Sequence, residues 1–357
     1  MSGPDTNVQQ AQRAQTKVAL GAMIVPLFFV IGFATCIIGA YHKPHPNGVK
    51  IGVVGPVAKV GPLLTGLQKA AGSGFDISRV PTLAEAVDNV RRRDLNAAFV
   101  AGTHPKQPGT VIVASANGRL VATAAETLAR SVTTAQGDQL TVRDVRPLTP
   151  GDEIGLGVFL LMVACTICGY IAPTVLETAT PALRPARRYA ILAGTATLVA
   201  TLVYLIGGLG YGVYKGSVGT ILAFIGVGAL YAFVIGLGTR LFQVLFGPAG
   251  IFLSLAVLVF LNVASLGATY TSPVLAPFWK FLNQFWIGAG AVNAERSILY
   301  FDGHGVGSDL LRVFAWTGAI SLLLLLPASR RLERKRERAD VAGEVLRPPA
   351  RQVASEA

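Results

Sequence analysis

The sequence predicts a polytopic α-helical membrane protein with six spans and one inserted extracytoplasmic α/β domain. Hydrophobic residues make up 52% of its 357 residues and charged residues only 14%, and the mean hydropathy is +0.53. A soluble domain carries roughly 25% charged residues, so this composition excludes an ordinary soluble enzyme. The apolar residues are gathered in six long runs, and a more polar stretch at residues 41–153 separates the first run from the other five.

The first apolar run covers residues 18–40 and contains no charged residue. A helix needs about 20 apolar residues to cross the hydrocarbon core, so this run is long enough to span a membrane. It is longer than the roughly 7–15 residues of a signal-peptide core, and Arg13 and Lys17 precede it. We expect a retained transmembrane helix, preceded by a cytoplasmic segment at residues 1–17.

The stretch at residues 41–153 is too long and too polar to be a simple loop. Segments of strand and helix composition alternate along it, which is typical of a small α/β domain with a mixed sheet. Thr82 and Glu85 have the spacing of a capping box, which predicts a helix that ends at the basic residues 91–93. We interpret that basic run as a solvated helix end. Strands are predicted at residues 50–55, 75–80, 96–101, 110–114 and 140–145, and helices at 63–71, 82–93 and 118–134.

A five-helix transmembrane domain is predicted at residues 154–328. The middle thirds of its spans contain no Asp, Glu, Lys or His, which argues against a proton-driven transporter, since carrying a proton through hydrocarbon requires a titratable side chain. Asn262 is the notable polar residue within a span, and we expect it to make an interhelical hydrogen bond. The predicted spans are residues 154–176, 189–214, 217–239, 244–270 and 310–328.

The ends of the predicted spans fall into two sets, one for each side of the membrane, and Lys and Arg are distributed unequally between them. The set with more Lys and Arg includes both termini of the chain. The positive-inside rule therefore places both termini in the cytoplasm and the α/β domain outside. The basic tail at residues 329–357 is interpreted as a topological anchor beside anionic lipid. Nucleic acid is not an expected partner, because no recognition module accompanies this tail. The set with more Lys and Arg comprises Arg13, Lys17, Arg184, Arg187, Arg188, Arg240 and the tail, whereas the other set comprises Lys215, Lys280 and Arg296.

Residues 271–309 connect the fifth and sixth spans. The pieces of this segment are too short to cross a bilayer but are apolar and aromatic, so we predict an outer re-entrant hairpin of two short helices. Trp279 and Trp286 are predicted at headgroup level, and Phe278 lies in the same aromatic segment. Glu295 and Arg296 are adjacent and therefore point in different directions from a helix, so each is expected to pair elsewhere.

The sequence contains no motif for catalysis or for binding a nucleotide or a metal. The P-loop pattern G-x-x-x-x-G-K-[ST], H-E-x-x-H and G-x-S-x-G are all missing. Cys165 and Cys168 have redox-motif spacing but lie inside an apolar span, where a thiolate is costly, so we interpret them as packing residues. We therefore expect no enzyme activity, no metal and no cofactor bound by this chain.

Several motifs resemble the YhgE/Pip (phage infection protein) group of type-2 ABC transporter permeases. The order of one span, an α/β domain and five further spans is also similar to that family. The resembling segments are residues 147–156 (PLTPGDEIGL) with 169–172 (GYIA), 276–279 (APFW) with 288–290 (GAG), 296–303 (RSILYFDG) and 49–56 (VKIGVVGP).

The resemblance implies an exporter in the bacterial cytoplasmic membrane, with a homodimer or heterodimer of permeases and two ATPase subunits that bind ATP in trans. It implies an ATPase-coupling loop between the second and third spans, with Thr180 at the start of a short helix. An apolar or amphipathic cargo would pass along the second and fifth spans. The candidate coupling residues are Glu177, Thr180, Arg184, Arg187 and Arg188.

Two alternatives remain open at this point. One alternative to an exporter is a non-transporting scaffold or receptor, whose outer domain binds a phage, a secretion-system component or an envelope partner. An intramembrane enzyme has only the spacing of Cys165 and Cys168 in its favour. The loop between the second and third spans also fits a basic cytoplasmic loop without a partner.

Overall fold

The computed structural model of the protein describes residues 4–102, 108–135, 139–180 and 182–326. Within these ranges, six helical segments are long and apolar enough to cross a membrane, judged by length and composition. The prediction of a polytopic helical membrane protein with six candidate spans is therefore confirmed. The predicted basic tail at 329–357 lies outside the described residues. The six segments are Gln12–Tyr41, Gly157–Ala179, Pro185–Gly210, Val218–Phe246, Pro248–Ser265 and Val306–Leu325.

The first span consists of helix α1 (Pro4–Ala22) and helix α2 (Ile24–Tyr41), which meet at Met23. The candidate span begins at Gln12 rather than at residue 18, because the Gln, Ala, Arg and Lys residues before the apolar run are good helix formers. The phenylalanines of α2 pack on Phe260 of the fifth span, with ring centroids 5.8 Å away for Phe28 and 6.4 Å away for Phe33.

The chain after α2 forms a five-stranded mixed sheet with the strand order β2-β1-β3-β4-β5. Strands β3 and β4 are antiparallel, and the other neighbouring strands are parallel. The backbone N–H of Glu85 donates to Thr82 Oγ1 at 3.1 Å, so the predicted cap of α4 is present. We call this part the α/β unit; it comprises β1 (Val49–Val54), α3 (Val57–Ala71), β2 (Phe75–Arg79), α4 (Leu83–Arg92), β3 (Ala97–Val100), β4 (Gly109–Val113), α5 (Arg119–Ala135) and β5 (Leu140–Asp144).

The two faces of the sheet are covered differently. On one face, Leu67 of α3 and Ala125 of α5 pack over Val53 and Val111 of the strands. On the other face, α4 covers only part of the sheet, and Phe301 from the later part of the chain completes the core. The α/β unit thus needs a residue from the membrane-domain part of the sequence to finish its own hydrophobic core.

The second span is α6 (Gly157–Ala179), and the third is α7 (Pro185–Tyr204) continued by a π-helical stretch, Leu205–Gly210. Helix α6 begins at 157 rather than at 154, because the carboxylate of Asp152 accepts the N–H groups of Leu156 and Gly157 at 2.7 and 2.9 Å and so caps the first turn. The third span ends before residue 214, because the backbone turns at Gly212 with φ of +67°.

The fourth span is α8 (Val218–Phe246), which is longer than predicted and ends at Gly247 with φ of +61°. The fifth span comprises α9 (Pro248–Ser254), a π-helical stretch at Leu255–Leu261 and α10 (Asn262–Ser265). It begins at 248 rather than at 244, since Gly247 and Pro248 separate it from α8.

The last three helices are α11 (Pro277–Phe285), α12 (Ile287–Tyr300) and α13 (Val306–Leu325). Helices α11 and α12 are the two short helices predicted from the sequence; together with Trp286 between them we call them the hairpin. Helix α13 begins four residues earlier than predicted, so Asp309 lies in its first turn and Arg312 one turn further along.

Small residues allow α6 and α8 to approach each other closely. A Cβ atom at Gly169 would lie 2.5 Å from the carbonyl oxygen of Ala232 and 2.8 Å from the Cβ of Ile235. Such close contact of helix backbones is typical of packing in lipid, where van der Waals contact rather than the hydrophobic effect drives helix association.

We expect Gly169→Val to destabilise the membrane domain by about 1–3 kcal/mol, because the added side chain meets backbone atoms that cannot rotate away. Thermal unfolding in detergent measures the change. Gly226→Val in α8 is the matched control, because no neighbouring atom lies within 4 Å of a Cβ atom built on Gly226. Equal losses of stability in the two variants would show that the α6–α8 contact is not tight.

Candidate functional site

The start of α12 is held by a chain of hydrogen bonds across four helices. The backbone N–H of Gly288 donates to Asn262 Oδ1 at 3.1 Å, and Asn262 Nδ2 donates to Tyr231 Oη at 2.5 Å. Tyr231 Oη in turn lies 2.6 Å from Thr166 Oγ1. The predicted interhelical role of Asn262 is confirmed, and its partners belong to α8 and α12, with Thr166 extending the network to α6.

These contacts place the start of α12 deep in the helix bundle. Tyr231 lies 13 residues after Val218 at the beginning of α8, which corresponds to about 20 Å along that helix. The Asn262 side chain that binds the start of α12 therefore lies beside a point about 20 Å along α8, and the hairpin is not a surface loop.

The hairpin also satisfies the open end of the fifth span. Asn283 Nδ2 donates to the carbonyl oxygens of Ser265 and Leu266 at 2.8 and 3.2 Å. Arg296 Nη2 donates to the next two carbonyls, of Gly267 and Ala268, at 3.3 and 2.6 Å. The expectation that Arg296 pairs elsewhere is confirmed. Four successive carbonyl groups, which a broken helix would leave without partners, are hydrogen-bonded by two side chains of the hairpin.

Glu295 behaves differently from its neighbour Arg296. Its side chain is fully buried, and neither carboxylate oxygen has a hydrogen-bond partner among the described residues. A Cβ atom at Gly228 of α8 would lie 3.6 Å from Glu295 Oε1, so the carboxyl group faces the middle of α8. The prediction that Glu295 pairs with another group is therefore wrong, and the bundle contains a buried acid that lies outside all six spans.

The three aromatic residues predicted for the hairpin have different environments. Phe278 is exposed, whereas Trp279 is buried with Ala40 of α2 in one apolar cluster. Trp286 packs beside Trp316 of α13, with ring centroids 5.8 Å apart. Burial against α2 contradicts the prediction that Trp279 faces headgroups, because the amphipathic ring is enclosed by protein.

The α/β unit is attached to the hairpin region through Arg93, the residue that ends α4 in the left-handed conformation with φ of +68°. Its Nη2 donates to Ser297 Oγ at 2.5 Å and to the carbonyl of His304 at 3.2 Å, and it lies 3.6 Å from Asp309 Oδ2. Burial lowers the pKa of the Arg93 guanidinium, and the charge of Asp309 opposes this shift.

Arg93 also lies over the ring of Phe301, 5.2 Å from the centroid. The interpretation of residues 91–93 as a solvated helix end is wrong for this residue. The sequence carried one signal, a third arginine directly after a capped amphipathic helix, but its partners lie more than 200 positions further along the chain.

Two further contacts tie the α/β unit and its linker to the hairpin region. Arg146 forms an ion pair with Asp302, and Lys280 Nζ donates to the carbonyl of Asn47 at 2.6 Å. A small cleft between the two parts is lined by Ser115, Asp152, Ala268, Arg296 and Tyr300, among others. Burial raises the pKa of the Asp152 carboxyl, although backbone N–H groups of the α6 cap oppose this shift.

The residues predicted for ATPase coupling lie at the opposite end of α6. Glu177 pairs with Arg188 at 3.2 Å and also with Arg240 of α8. The two arginine side chains are 1% and 3% exposed, so this cluster holds α6, α7 and α8 together inside the chain. Arg240 was not predicted for this site, because it lies 63 positions from Glu177.

The remaining coupling residues lie on the surface. Arg184 and Arg187 are exposed at the start of α7. Thr180 is the residue that ends α6, and its hydroxyl donates to the carbonyl of Leu176 at 2.9 Å. The prediction that Thr180 begins a short helix is therefore wrong, and Pro181 lies outside the described residues. Of the five predicted residues, the structure brings three together: Arg188 pairs with Glu177 and also donates from Nη2 to the carbonyl of Thr180 at 3.4 Å.

Comparison with known proteins identifies no relative: no family model, no curated protein and no solved structure matches the chain. Within the described ranges, no three His, Cys, Asp or Glu side chains are grouped so that they would hold a metal ion. The resemblance to YhgE/Pip permeases remains a prediction.

We expect Glu177→Gln to destabilise the protein by about 3 kcal/mol, because it removes the carboxylate that pairs with two buried arginines. Thermal unfolding in detergent is the measurement. Arg187→Gln removes an exposed charge from the same region and should change the stability by less than about 0.5 kcal/mol. A neutral effect of Glu177→Gln would show that the cluster does not stabilise the bundle.

We expect Arg93→Gly to loosen the attachment of the α/β unit, because glycine keeps the left-handed backbone while the buried partner Asp309 loses its cation. Hydrogen–deuterium exchange over residues 297–306 should become about 100-fold faster, which corresponds to about 3 kcal/mol. Arg92→Gly is the control, since the ion pair of Arg92 with Asp88 is half exposed. Unchanged exchange in Arg93→Gly would exclude Arg93 as the main attachment.

Proposed function

We propose that the chain is the membrane permease subunit of an ATP-driven, ABC-type exporter of the YhgE/Pip kind. In this proposal it lies in a bacterial cytoplasmic membrane with both termini inside and the α/β unit outside. It works as a homodimer or heterodimer with separate cytoplasmic ATPase subunits and moves an apolar or amphipathic substrate out of the cell.

The observation that carries the proposal is the hairpin. It reaches about 20 Å into the bundle, contacts α6, α8 and α10 there, and is attached at its other end to the α/β unit. A movement of the bundle helices therefore changes the position of the hairpin and of the α/β unit together. An export cycle needs this kind of mechanical link between the two ends of a permease.

Two further observations support an energy source on a partner subunit. The sequence has no P-loop, so nucleotide hydrolysis of that kind requires another chain. Arg184 and Arg187 remain exposed beside the buried Glu177 cluster. In the proposal, Arg184 and Arg187 bind the ATPase through their charges. The Glu177 cluster holds the helix ends on either side of them in place.

We expect the charge-reversed double variant Arg184→Glu/Arg187→Glu to lose copurification with an ATPase subunit and to lose ATP-dependent efflux from reconstituted vesicles by at least about tenfold. The reason is that charged residues at the rim of an interface strongly affect the rate at which the two partners associate. Lys215→Glu, an exposed charge in the connection between α7 and α8, is the control that should retain both. If the unmodified protein copurifies with no ATPase from native membranes, the exporter proposal fails.

A second candidate is a scaffold or receptor whose α/β unit binds a phage, a secretion-system component or an envelope partner. The observation in its favour is the firm attachment of this unit through Arg93, Arg146 and Lys280, which suits a fixed receptor. Removal of residues 45–150 separates the candidates, because loss of partner binding with unchanged efflux favours the receptor.

A further inference from the structure

Glu295 is a fully buried acid in the described part of the bundle, and none of the functions above gives a reason for it. Its carboxyl group faces Gly228, which lies 10 residues after Val218, or about 15 Å along α8. The same point is approached by Ala200 of α7 and Leu161 of α6, whose side chains lie 3.2 and 3.5 Å from a Cβ built on Gly228. The walls around the carboxyl group are therefore apolar and close.

The charges around Glu295 do not compensate an ionised carboxylate. Among the described residues, the titratable side chains that interact with it are Cys165 of α6 and Tyr214 of the connection between α7 and α8, and neither is a cation. Helix α8 faces it with the backbone of Gly228. This contact favours the ionised form but is too long or too poorly aligned to count as a hydrogen bond, and burial opposes the ionised form as the larger effect. Of the charged groups of α13, Asp309 interacts with Arg93, Arg296 and Arg312, and Arg312 Nη1 donates to the carbonyl of Asn283 at 3.3 Å.

An ionised carboxylate without a partner is strongly disfavoured in an apolar interior. A carboxyl group avoids this penalty by binding a proton, since the neutral form is much less costly to bury. A proton is favoured over a metal ion, because among the described residues no three His, Cys, Asp or Glu side chains are grouped so that they would hold one.

On the side of the α/β unit, another acid, Asp152, lines the cleft. Tyr214 is influenced electrostatically by both Glu295 and Asp152, and its hydroxyl donates to the carbonyl of Gly157 at 2.8 Å.

We propose that Glu295 is a proton-binding site of the bundle, occupied while α6, α8 and α12 pack as they do here and emptied when these helices separate and water reaches the carboxyl group. The site makes the packed arrangement sensitive to pH, since it binds one more proton than the separated one. The site lies on the hairpin, so it agrees with the expectation that the middle thirds of the six spans contain no Asp, Glu, Lys or His. Proton binding at Glu295 requires neither an ATPase nor a cargo, so its test is independent of the exporter proposal.

Infrared spectroscopy of the purified full-length protein in detergent tests this site, because the C=O stretch of a protonated carboxyl group is separate from the bands of carboxylates. We expect the band at pH 7 in the unmodified protein and its loss in Glu295→Gln, an uncharged residue of the same size. Glu177→Gln is the control and should keep the band, since Glu177 pairs with two arginines whereas Glu295 has no cation beside it. A spectrum at pH 7 that Glu295→Gln leaves unchanged would overturn the proposal.

The pH dependence of stability provides a second measurement. With the packed state holding the extra proton, the melting temperature of the unmodified protein should fall as pH rises above the ordinary range of glutamate, and Glu295→Gln should reduce this slope. If Glu295→Gln does not fold, the unmodified protein made with isotope-labelled glutamate decides the question, because the carboxyl band then shifts. A band that does not shift with labelled glutamate contradicts the proposal.

Discussion

The arrangement of the membrane domain depends on how four carbonyl groups at the end of the fifth span find hydrogen-bond donors. The helix breaks after Ser265, and an apolar surrounding cannot supply those donors. Asn283 and Arg296 of the hairpin supply them. The broken span and the hairpin therefore require each other, and this requirement fixes the position of α12 and of every residue on it.

The position of α12 in turn determines where the hairpin contacts the bundle and where it contacts the α/β unit, the two contacts on which the proposed transport function depends. Gly288 at its start is bound by Asn262, while Ser297 and Phe301 near its end are contacted by Arg93. The sheet of the α/β unit uses Phe301 in its own core. The α/β unit, the hairpin and the bundle therefore share contacts, and none of the three packs independently of the other two.

The bundle contains two acidic side chains in opposite environments. Glu177 has two arginine partners and holds α6, α7 and α8 together. Glu295 has no hydrogen-bond partner among the described residues, so binding a proton is the low-energy state. The first arrangement stabilises a single packing, whereas the second makes a packing conditional on pH.

The sequence by itself determined the six candidate spans, the short helices α11 and α12, the cap at Thr82 and the interhelical role of Asn262, because length, periodicity and local hydrogen bonding are properties of neighbouring residues. Only the tertiary structure decided that Trp279 is enclosed by α2, that Arg93 attaches the α/β unit and that Glu295 is buried without a partner. The partners of these side chains are distant in sequence, and the solvation of an ionisable group depends on every element packed around it.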